Sequence, residues 1–179
     1  MIPKVVHYCW FGKGKKPGLA LKCIESWKKN LTDYELVEWN EDNFDIDQNL
    51  YVKQAYENKK YAFVADYVRL YAMYHHGGVY MDTDVEVLGN LDEFLHHQAF
   101  SGFESKGNIP TGIMACEKGY DLFKEFLDYY AARSFVMNDG SLDMTTNTVI
   151  MTSIISKYGF IPDGSFQIVR DFALYPEDV

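Results

Sequence analysis

Several features that would place a protein in a special class are missing from these 179 residues. No apolar run approaches the roughly 20 residues that cross a bilayer, and residues 1–4 (MIPK) lack the charged-then-apolar layout of a secretion signal. The three cysteines, Cys9, Cys23 and Cys116, are far apart and form no C-x-x-C pair, which argues against a disulfide framework or a zinc site. We therefore expect a cytoplasmic protein with reduced thiols.

Positive charge is also scarce. The chain holds 17 Lys and Arg against 26 Asp and Glu, a net charge of −9, which argues against a nucleic-acid partner. Residues 1–30 are the exception, because their seven lysines face a single acid, Glu25. This Lys-rich N-terminal region suggests a peripheral contact with anionic lipids at the inner face of a membrane, and a solvated helix face is the alternative explanation.

Linkers, repeats and low-complexity segments are absent, so residues 1–179 are interpreted as one domain. A β-branched and aromatic run at 4–11 predicts a strand, apolar spacing over 19–30 a helix, and alternation over 34–39 a second strand. The loop at 12–18 is neither G-x-G-x-x-G nor a Walker A sequence. A βαβ opening of an α/β fold follows.

The strongest helical pattern covers residues 61–76, where aromatic and aliphatic side chains recur at helical spacing before the stop signal Gly77-Gly78. Asp66 and Arg69 lie one turn apart on that helix, either as a surface ion pair or facing a groove. A short buried strand follows, ends at Asp82 and Asp84, and resumes as a second strand over 85–87.

Further elements are predicted downstream. Strands are expected at 99–103, 112–116 and 166–170, and helices at 120–133 and 145–157. Only a short tail follows the last of these strands, so we expect the domain to lack a C-terminal closing segment over its site.

An Asp-x-Asp pair alone is a weak signal, and the chain has a second copy, Asp45 and Asp47, in a polar stretch interpreted as a solvated loop. Asp82 and Asp84 differ because they end a buried strand. Alternate strand residues face the same way, so both carboxylates can converge beyond the carboxyl edge of the sheet. Such oxygens suit Mg²⁺ or Mn²⁺, which would stabilise a departing nucleoside diphosphate.

Three segments together carry a family resemblance: IPKVVHYCW at 2–10, ADYVR at 65–69 and GGVYMDTD at 77–84. In this combination they resemble the sugar-binding region with an Asp-x-Asp motif of glycosyltransferase family 32. That family includes yeast mannosyltransferases, bacterial capsule and lipopolysaccharide enzymes and, more distantly, the glucosylating clostridial toxins. The resemblance extends from Ile2 to about Gly119.

The resemblance implies a GT-A fold, which is an α/β, Rossmann-like fold with a mixed central sheet flanked by helices. It also implies a metal-dependent hexosyltransferase that uses Mn²⁺ or Mg²⁺ and retains anomeric configuration. The expected donor is a UDP-sugar, with GDP-mannose as the alternative. The expected acceptor is a saccharide or lipid-linked glycan in capsular polysaccharide or lipopolysaccharide synthesis.

Roles of individual residues also follow from the resemblance. Trp10 is similar to the aromatic that stacks on the nucleobase, Asp66 to the acid that holds sugar or ribose hydroxyls, and Tyr80 to the aromatic of the donor-sugar pocket. Arg69 is similar to the cation beside donor sugar and phosphate.

The Asp-x-Asp pair and a later polar turn complete this set. By the same resemblance Asp82 bridges ribose and metal, Asp84 is the direct metal ligand, and both are catalytic together with Arg69. Asn147 is matched to an acceptor-side polar turn, and a plain helix N-cap is the competing interpretation.

Two other functions remain open at this point. A haloacid-dehalogenase-type phosphohydrolase would use Asp82 as nucleophile and Asp84 as acid and base, although the motif lies mid-chain and Lys118 and Asp163 are weak matches for its remaining residues. A non-catalytic nucleotide-sugar-binding domain is the other possibility, and the short C-terminal tail motivates it.

Overall fold

One mixed sheet forms the centre of the computed structural model, which describes residues 1–105 and 107–179. Within those residues the sheet has seven strands: β1 (Val5–Cys9), β2 (Glu35–Trp39), β3 (Gly78–Met81), β4 (Ala99–Gly102), β5 (Ile113–Cys116), β6 (Gln167–Val169) and β7 (Phe172–Tyr175). Their order across the sheet is β2-β1-β3-β5-β4-β7-β6. This is the predicted α/β architecture with a mixed sheet.

Helices cover both faces of this sheet. They are α1 (Gly18–Asn30), α2 (Leu50–Glu57), α3 (Tyr61–His76), α4 (Asp121–Asp128) and α5 (Asn147–Ile155). Alternate strand residues face opposite layers: Val79 and Met81 pack with α1, whereas Tyr80 packs with α3 and the later helices. The core therefore has two apolar layers, one on each side of the sheet.

The order and direction of the strands create a functional edge. β1 pairs in parallel with both β2 and β3, which confirms the βαβ opening, and β4 runs in the same direction because both β3 and β4 are antiparallel to β5. The carboxyl ends of β1, β3 and β4 therefore share one edge. Open α/β sheets bind ligands at this edge.

The predicted second strand over 85–87 is wrong. The structure has no strand there, because the backbone groups bond to α1 side chains: the Trp27 indole N–H donates to the Val85 carbonyl at 2.8 Å, and the Val87 N–H donates to the Ser26 hydroxyl at 2.9 Å. Side-chain partners replace a neighbouring strand.

The prediction for the C-terminal part is also incomplete. β6 falls within the expected 166–170, but β7 follows it directly and lies inside the sheet between β4 and β6. The helices expected at 120–133 and 145–157 are shorter, and α2 was not predicted. No helix of the described residues is long and apolar enough to cross a membrane.

Candidate active site

A groove of about 570 Å³ opens at the carboxyl ends of β1 and β3, beside the first turns of α3. Five of the seven residues predicted for the site line it together: Trp10, Arg69, Tyr80, Asp82 and Asp84. The other two, Asp66 and Asn147, are buried and are not among the residues that line this groove. The structure therefore brings five of the seven predicted site residues together in one groove.

Arg69 is the central cation of the groove. Its Nη2 lies 3.2 Å from Asp82 Oδ1 and 3.4 Å from Asp66 Oδ1, and its Nη1 donates to the Thr111 carbonyl at 2.8 Å. The guanidinium carbon stands 4.7 Å from the centre of the Tyr80 ring. The helix-face pair of the sequence analysis is thus a buried network, with Asp66 8% and Arg69 5% exposed.

Asp82 is held by neighbours on several sides. The Tyr80 hydroxyl donates to its Oδ1 at 3.0 Å, Arg69 contacts both carboxylate oxygens, and its backbone N–H donates to the Gly112 carbonyl at 2.7 Å. Burial raises the pKa of the Asp82 carboxyl above its usual range, and the Arg69 charge opposes this rise. The carboxylate is therefore pre-oriented before a ligand arrives.

The two aspartates of the motif fit a divalent cation that takes most of its ligands from outside the protein. Asp84 is exposed at the groove, while the Asp82 side chain is about a third exposed there, so both offer hard oxygen ligands. Among the described residues, no group of three or more His, Cys, Asp or Glu side chains could hold a metal ion. A Mg²⁺ or Mn²⁺ ion here would need water and a diphosphate to complete its coordination.

Asp66 connects the groove to helix α5. Its Oδ2 accepts the backbone N–H of Asn147 at 3.0 Å, so a side chain from α3 caps the first turn of α5. Burial raises the pKa of Asp66 to about 6 despite the nearby Arg69 charge. The Asn147 side chain donates to the Tyr130 hydroxyl at 3.1 Å, and its Oδ1 is buried without a partner among the described residues.

Trp10 stands directly after β1 and is held by hydrogen bonds to the end of β2 and to the loop at 12–18. Its backbone N–H donates to the Trp39 carbonyl at 2.9 Å and its indole N–H to the Gly14 carbonyl at 2.7 Å. The Lys16 ammonium lies 5.6 Å from the centre of the indole ring. An aromatic ring held in this way offers a rigid platform for a planar group.

Some residues of the site are not predicted from the sequence. Tyr61, at the start of α3, lines the groove, and its ring would collide with any Cβ on Gly12. Thr111, whose carbonyl holds Arg69, lies 42 residues from it along the chain. Gly12 is a sequence signal for close packing near Tyr61, whereas nothing in the sequence marks Thr111.

Several residues whose side chains could carry chemistry lie outside the groove. His7 is a buried histidine whose two ring nitrogens bond to the Gly77 carbonyl and the Trp39 indole N–H. Asp45 and Asp47, of the second Asp-x-Asp pair, are exposed. The three cysteines are free thiols.

This chain is similar in sequence and in fold to known proteins. Residues 17–101 match the family model described as a glycosyltransferase sugar-binding region containing a DXD motif, which includes Asp66, Arg69 and the pair Asp82 and Asp84. The structure resembles that of the PaToxG glycosyltransferase, with a TM-score of 0.62, 16% identity, and coverage of 87% of this chain and 68% of that one. The GT-A fold predicted from the sequence is thereby confirmed.

Two curated relatives are similar in sequence. Inositol phosphoceramide mannosyltransferase 3 of Schizosaccharomyces pombe is 31% identical over 127 residues, which cover 66% of this chain and 34% of the relative. An uncharacterized glycosyltransferase, L373, of Acanthamoeba polyphaga mimivirus is 25% identical over 173 residues, which cover 88% of this chain and 66% of the relative. The chain thus spans about a third of the first relative and just under two thirds of the second.

Proposed function

Because residues 17–101 match the model of a glycosyltransferase sugar-binding region with a DXD motif, we propose that this chain transfers a hexose from a nucleoside diphosphate sugar to an acceptor hydroxyl, with retention of anomeric configuration. The observation that carries the proposal is the groove in which Arg69 and Asp82 are tied together beside Trp10. A UDP-sugar is the favoured donor and GDP-mannose the alternative. The similarity to the yeast mannosyltransferase supports hexose transfer.

Each groove residue has a task in this proposal. Trp10 stacks on the nucleobase, Tyr80 lines the donor-sugar pocket, and the buried Arg69 faces the negative charge of the donor. Asp84 and Asp82 hold Mn²⁺ or Mg²⁺, which when bound would stabilise the charge of the departing diphosphate. Because Arg69 is fixed by two carboxylates and a carbonyl, its charge needs no reorganisation during the reaction.

Asp66 and Asn147 support the donor pocket from behind in this proposal. Asp66 orients Arg69 and the first turn of α5, and a rotation of its carboxylate toward the groove would let it hold sugar hydroxyls. Asn147 would meet the acceptor only if its side chain left the Tyr130 hydroxyl.

The proposed acceptor is a saccharide or lipid-linked glycan of surface polysaccharide synthesis, made at the cytoplasmic face of a membrane. Lys13 and Lys15 are exposed in the loop that borders the groove, which supports a contact with anionic head groups. Lys16, Lys22 and Lys28 instead pair with glutamates, so the basic region is smaller than its lysine count suggests.

The phosphohydrolase alternative is disfavoured by the surroundings of Asp82. Ion pairing of both Asp82 oxygens with Arg69 and the hydrogen bond from the Tyr80 hydroxyl lower the nucleophilicity of this carboxylate. The glycosyltransferase match over residues 17–101 points the same way. A domain that binds nucleotide sugar without transfer remains an outcome of the test below.

The direct test is a panel of UDP- and GDP-sugars incubated with the pure chain, Mn²⁺ and simple glycosides. We expect one donor to lose its sugar to water or to a glycoside, with the anomeric configuration retained by NMR. Donor binding without sugar release would indicate a binding domain. Release of phosphate from an aryl phosphate that is abolished in Asp82→Asn would favour the phosphohydrolase.

A second prediction concerns the proposed metal ligands. Asp84→Ala should abolish the dependence of nucleotide affinity on Mn²⁺, because the exposed Asp84 carboxylate is the proposed direct ligand of the ion. Titration calorimetry with UDP and GDP, with and without EDTA, measures this. Asp47→Ala, in the second Asp-x-Asp pair, is the matched control and should bind like wild type. Undiminished nucleotide affinity of the wild type in excess EDTA would contradict the prediction.

The base platform makes a third prediction. Trp10→Ala should weaken nucleotide binding by about 1–3 kcal/mol, the usual value of a base–aromatic stack. Trp27 and Trp39 are buried, so nucleotide-dependent quenching of tryptophan fluorescence should report on Trp10 and disappear in Trp10→Phe. That variant keeps a ring and should lose less affinity than the alanine variant. An unchanged dissociation constant in Trp10→Ala would place the base elsewhere.

A further inference from the structure

A third carboxylate lies at the edge of the sheet that carries the groove. Glu104 follows the end of β4, at the same edge as Asp82. In the order of the strands β4 stands on the side of β3 away from β1, whose end bears Trp10. Glu104 is therefore separated from the nucleobase platform by the Asp-x-Asp pair. A donor lying from Trp10 to Asp82 leaves this side of the site for the other substrate.

Gly112 brings the Glu104 carboxylate close to Asp82. A Cβ on Gly112 would stand 2.6 Å from Glu104 Oε1 and 3.7 Å from Asp82 Oδ2, so both carboxylates face the same small space. The absence of a side chain at residue 112 leaves room for the Glu104 carboxylate at this position. Asp82 in turn is bonded through its backbone N–H to the Gly112 carbonyl, which fixes Asp82 beside Gly112.

The Glu104 carboxylate is available to a ligand. It is exposed, and within residues 1–105 and 107–179 it has no hydrogen-bond or ion-pair partner, whereas Asp82 is engaged by Arg69 and Tyr80. Hydroxyl groups adjoin this side of the site: the Thr111 and Thr148 side chains bond to each other at 3.1 Å, and the Thr111 carbonyl holds Arg69. An unpaired carboxylate beside neutral hydroxyls accepts hydrogen bonds from hydroxyl groups and repels phosphates.

We propose that Glu104 binds the acceptor and selects it: its carboxylate accepts hydrogen bonds from the hydroxyls of an uncharged saccharide and disfavours acceptors that carry a phosphate near the reacting hydroxyl. This inference rests on the proposed transferase function and adds the chemical class of the acceptor. The Glu104 charge, which no cation of the described residues pairs with, makes a phosphorylated sugar unfavourable there, whereas the Asp82 charge is offset by Arg69.

The experiment compares neutral and charged probes of one shape. The methyl α-glycosides of glucose, galactose and mannose, each with and without a 6-phosphate, serve as acceptors for the donor that the chain hydrolyses. Wild type should prefer the neutral member of a pair. Glu104→Gln should reduce that preference by about tenfold, mainly through the KM of the acceptor, because a charged hydrogen-bond partner is replaced by a neutral one. Glu104→Lys should reverse the preference. Glu57→Gln, an exposed glutamate at the end of α2, is the matched control.

Two results would overturn the selecting role of Glu104. One is an equal preference for neutral acceptors in wild type and Glu104→Gln. The other is a loss of Mn²⁺-dependent UDP affinity in Glu104→Gln as large as that in Asp84→Ala, which would make Glu104 a metal ligand. If wild type hydrolyses a donor but glycosylates none of the neutral glycosides, the acceptor class is wrong while the donor reaction stands. If no donor is hydrolysed, the proposed function itself fails.

Discussion

Among single residues, Arg69 contributes most to the organisation of the groove. One guanidinium contacts Asp66, Asp82 and the Thr111 carbonyl, and thereby links α3, the end of β3 and the segment before β5. Burial lowers the pKa of Arg69, but the electrostatic interactions with Tyr80, Asp82 and Asp66 outweigh it and raise this pKa. The positive charge of Arg69 is therefore permanent. The buried Asp66 and the partly buried Asp82 depend on that charge.

Removing Arg69 should therefore destabilise the domain as well as its site. Arg69→Ala leaves Asp66 buried without its partner and should lower the free energy of unfolding by about 3–5 kcal/mol, measured by urea denaturation. Arg69→Lys keeps the charge but not the fork that reaches two carboxylates, and should fall in between. Arg133→Ala is the control, because this side chain is 41% exposed and stands 3.9 Å from Asp143, and it should change stability by less than about 1 kcal/mol. Equal urea midpoints for wild type and Arg69→Ala would contradict this account.

The sequence located these residues but not their contacts. The ADYVR and GGVYMDTD segments pointed to Asp66, Arg69 and Asp82, yet the bond from Arg69 to Asp82 spans 13 positions and a helix-to-strand turn. No local pattern encodes that distance. Glu104 was missed for the same reason, because its only signal is a glycine eight residues later that has meaning once the strands are paired.

At the scale of elements, the turn from α3 to β3 is what delivers Asp82 to the groove. Gly78 has a φ of +109°, and a Cβ there would stand 2.6 Å from the Val5 carbonyl oxygen of the neighbouring strand. Gly77 has a φ of +69°, and its Cβ would stand 2.5 Å from the Lys118 backbone nitrogen. The chain therefore leaves the helix and enters the buried strand only where side chains are absent.

Gly78→Ala tests this requirement. The left-handed backbone and the collision with β1 should together lower the free energy of unfolding by about 2 kcal/mol or more. Gly89→Ala is the matched control, because a Cβ at Gly89 meets no atom within 4 Å, and it should stay within about 0.5 kcal/mol of wild type. Thermal and urea unfolding measure both variants, and similar melting temperatures would show that the turn adapts.

The same scale shows why some elements were predictable and others were not. α3 was placed at 61–76 because its apolar spacing is regular and two glycines end it. β7 was missed because the hairpin before it turns at Arg170 and Asp171, with φ values of 51° and 67°, and contains no glycine or asparagine to signal a two-residue turn. The run at 85–87 alternates like a strand but has no neighbour to pair with.

For the whole molecule, His7 makes stability depend on pH. Its Nε2 donates to the Gly77 carbonyl at 2.9 Å and its Nδ1 accepts the Trp39 indole N–H at 3.1 Å, an arrangement that fits only the neutral ring. Burial lowers the pKa of His7 to about 4, below the ordinary 6.5. Between these values the unfolded chain binds a proton that the folded chain does not, so the contribution is complete above pH 6.5 and is lost as the pH falls toward 4.

We expect wild type to lose about 2 kcal/mol of stability from this source between pH 7 and pH 5, and His7→Gln to lose less over the same interval. The slope of stability against pH is the measurement, because the absolute stability of the variant also reflects its changed hydrogen bonds. His96→Gln, an exposed control, should keep the wild-type slope. An identical slope in His7→Gln would assign the pH dependence to other groups.

The position of β7 inside the sheet also governs how the domain reaches its native state. Ala99 of β4 lies opposite Phe172 of β7, so one side of β4 finds its partner only after a long loop has closed. The strands around the groove, β1 to β3, pair within the first half of the chain and can assemble earlier. Until β7 docks, β4 presents open backbone groups to other chains. The yield of refolding therefore depends on whether that loop closes before β4 pairs with another chain. Dilution slows pairing between chains and so favours closure of the loop.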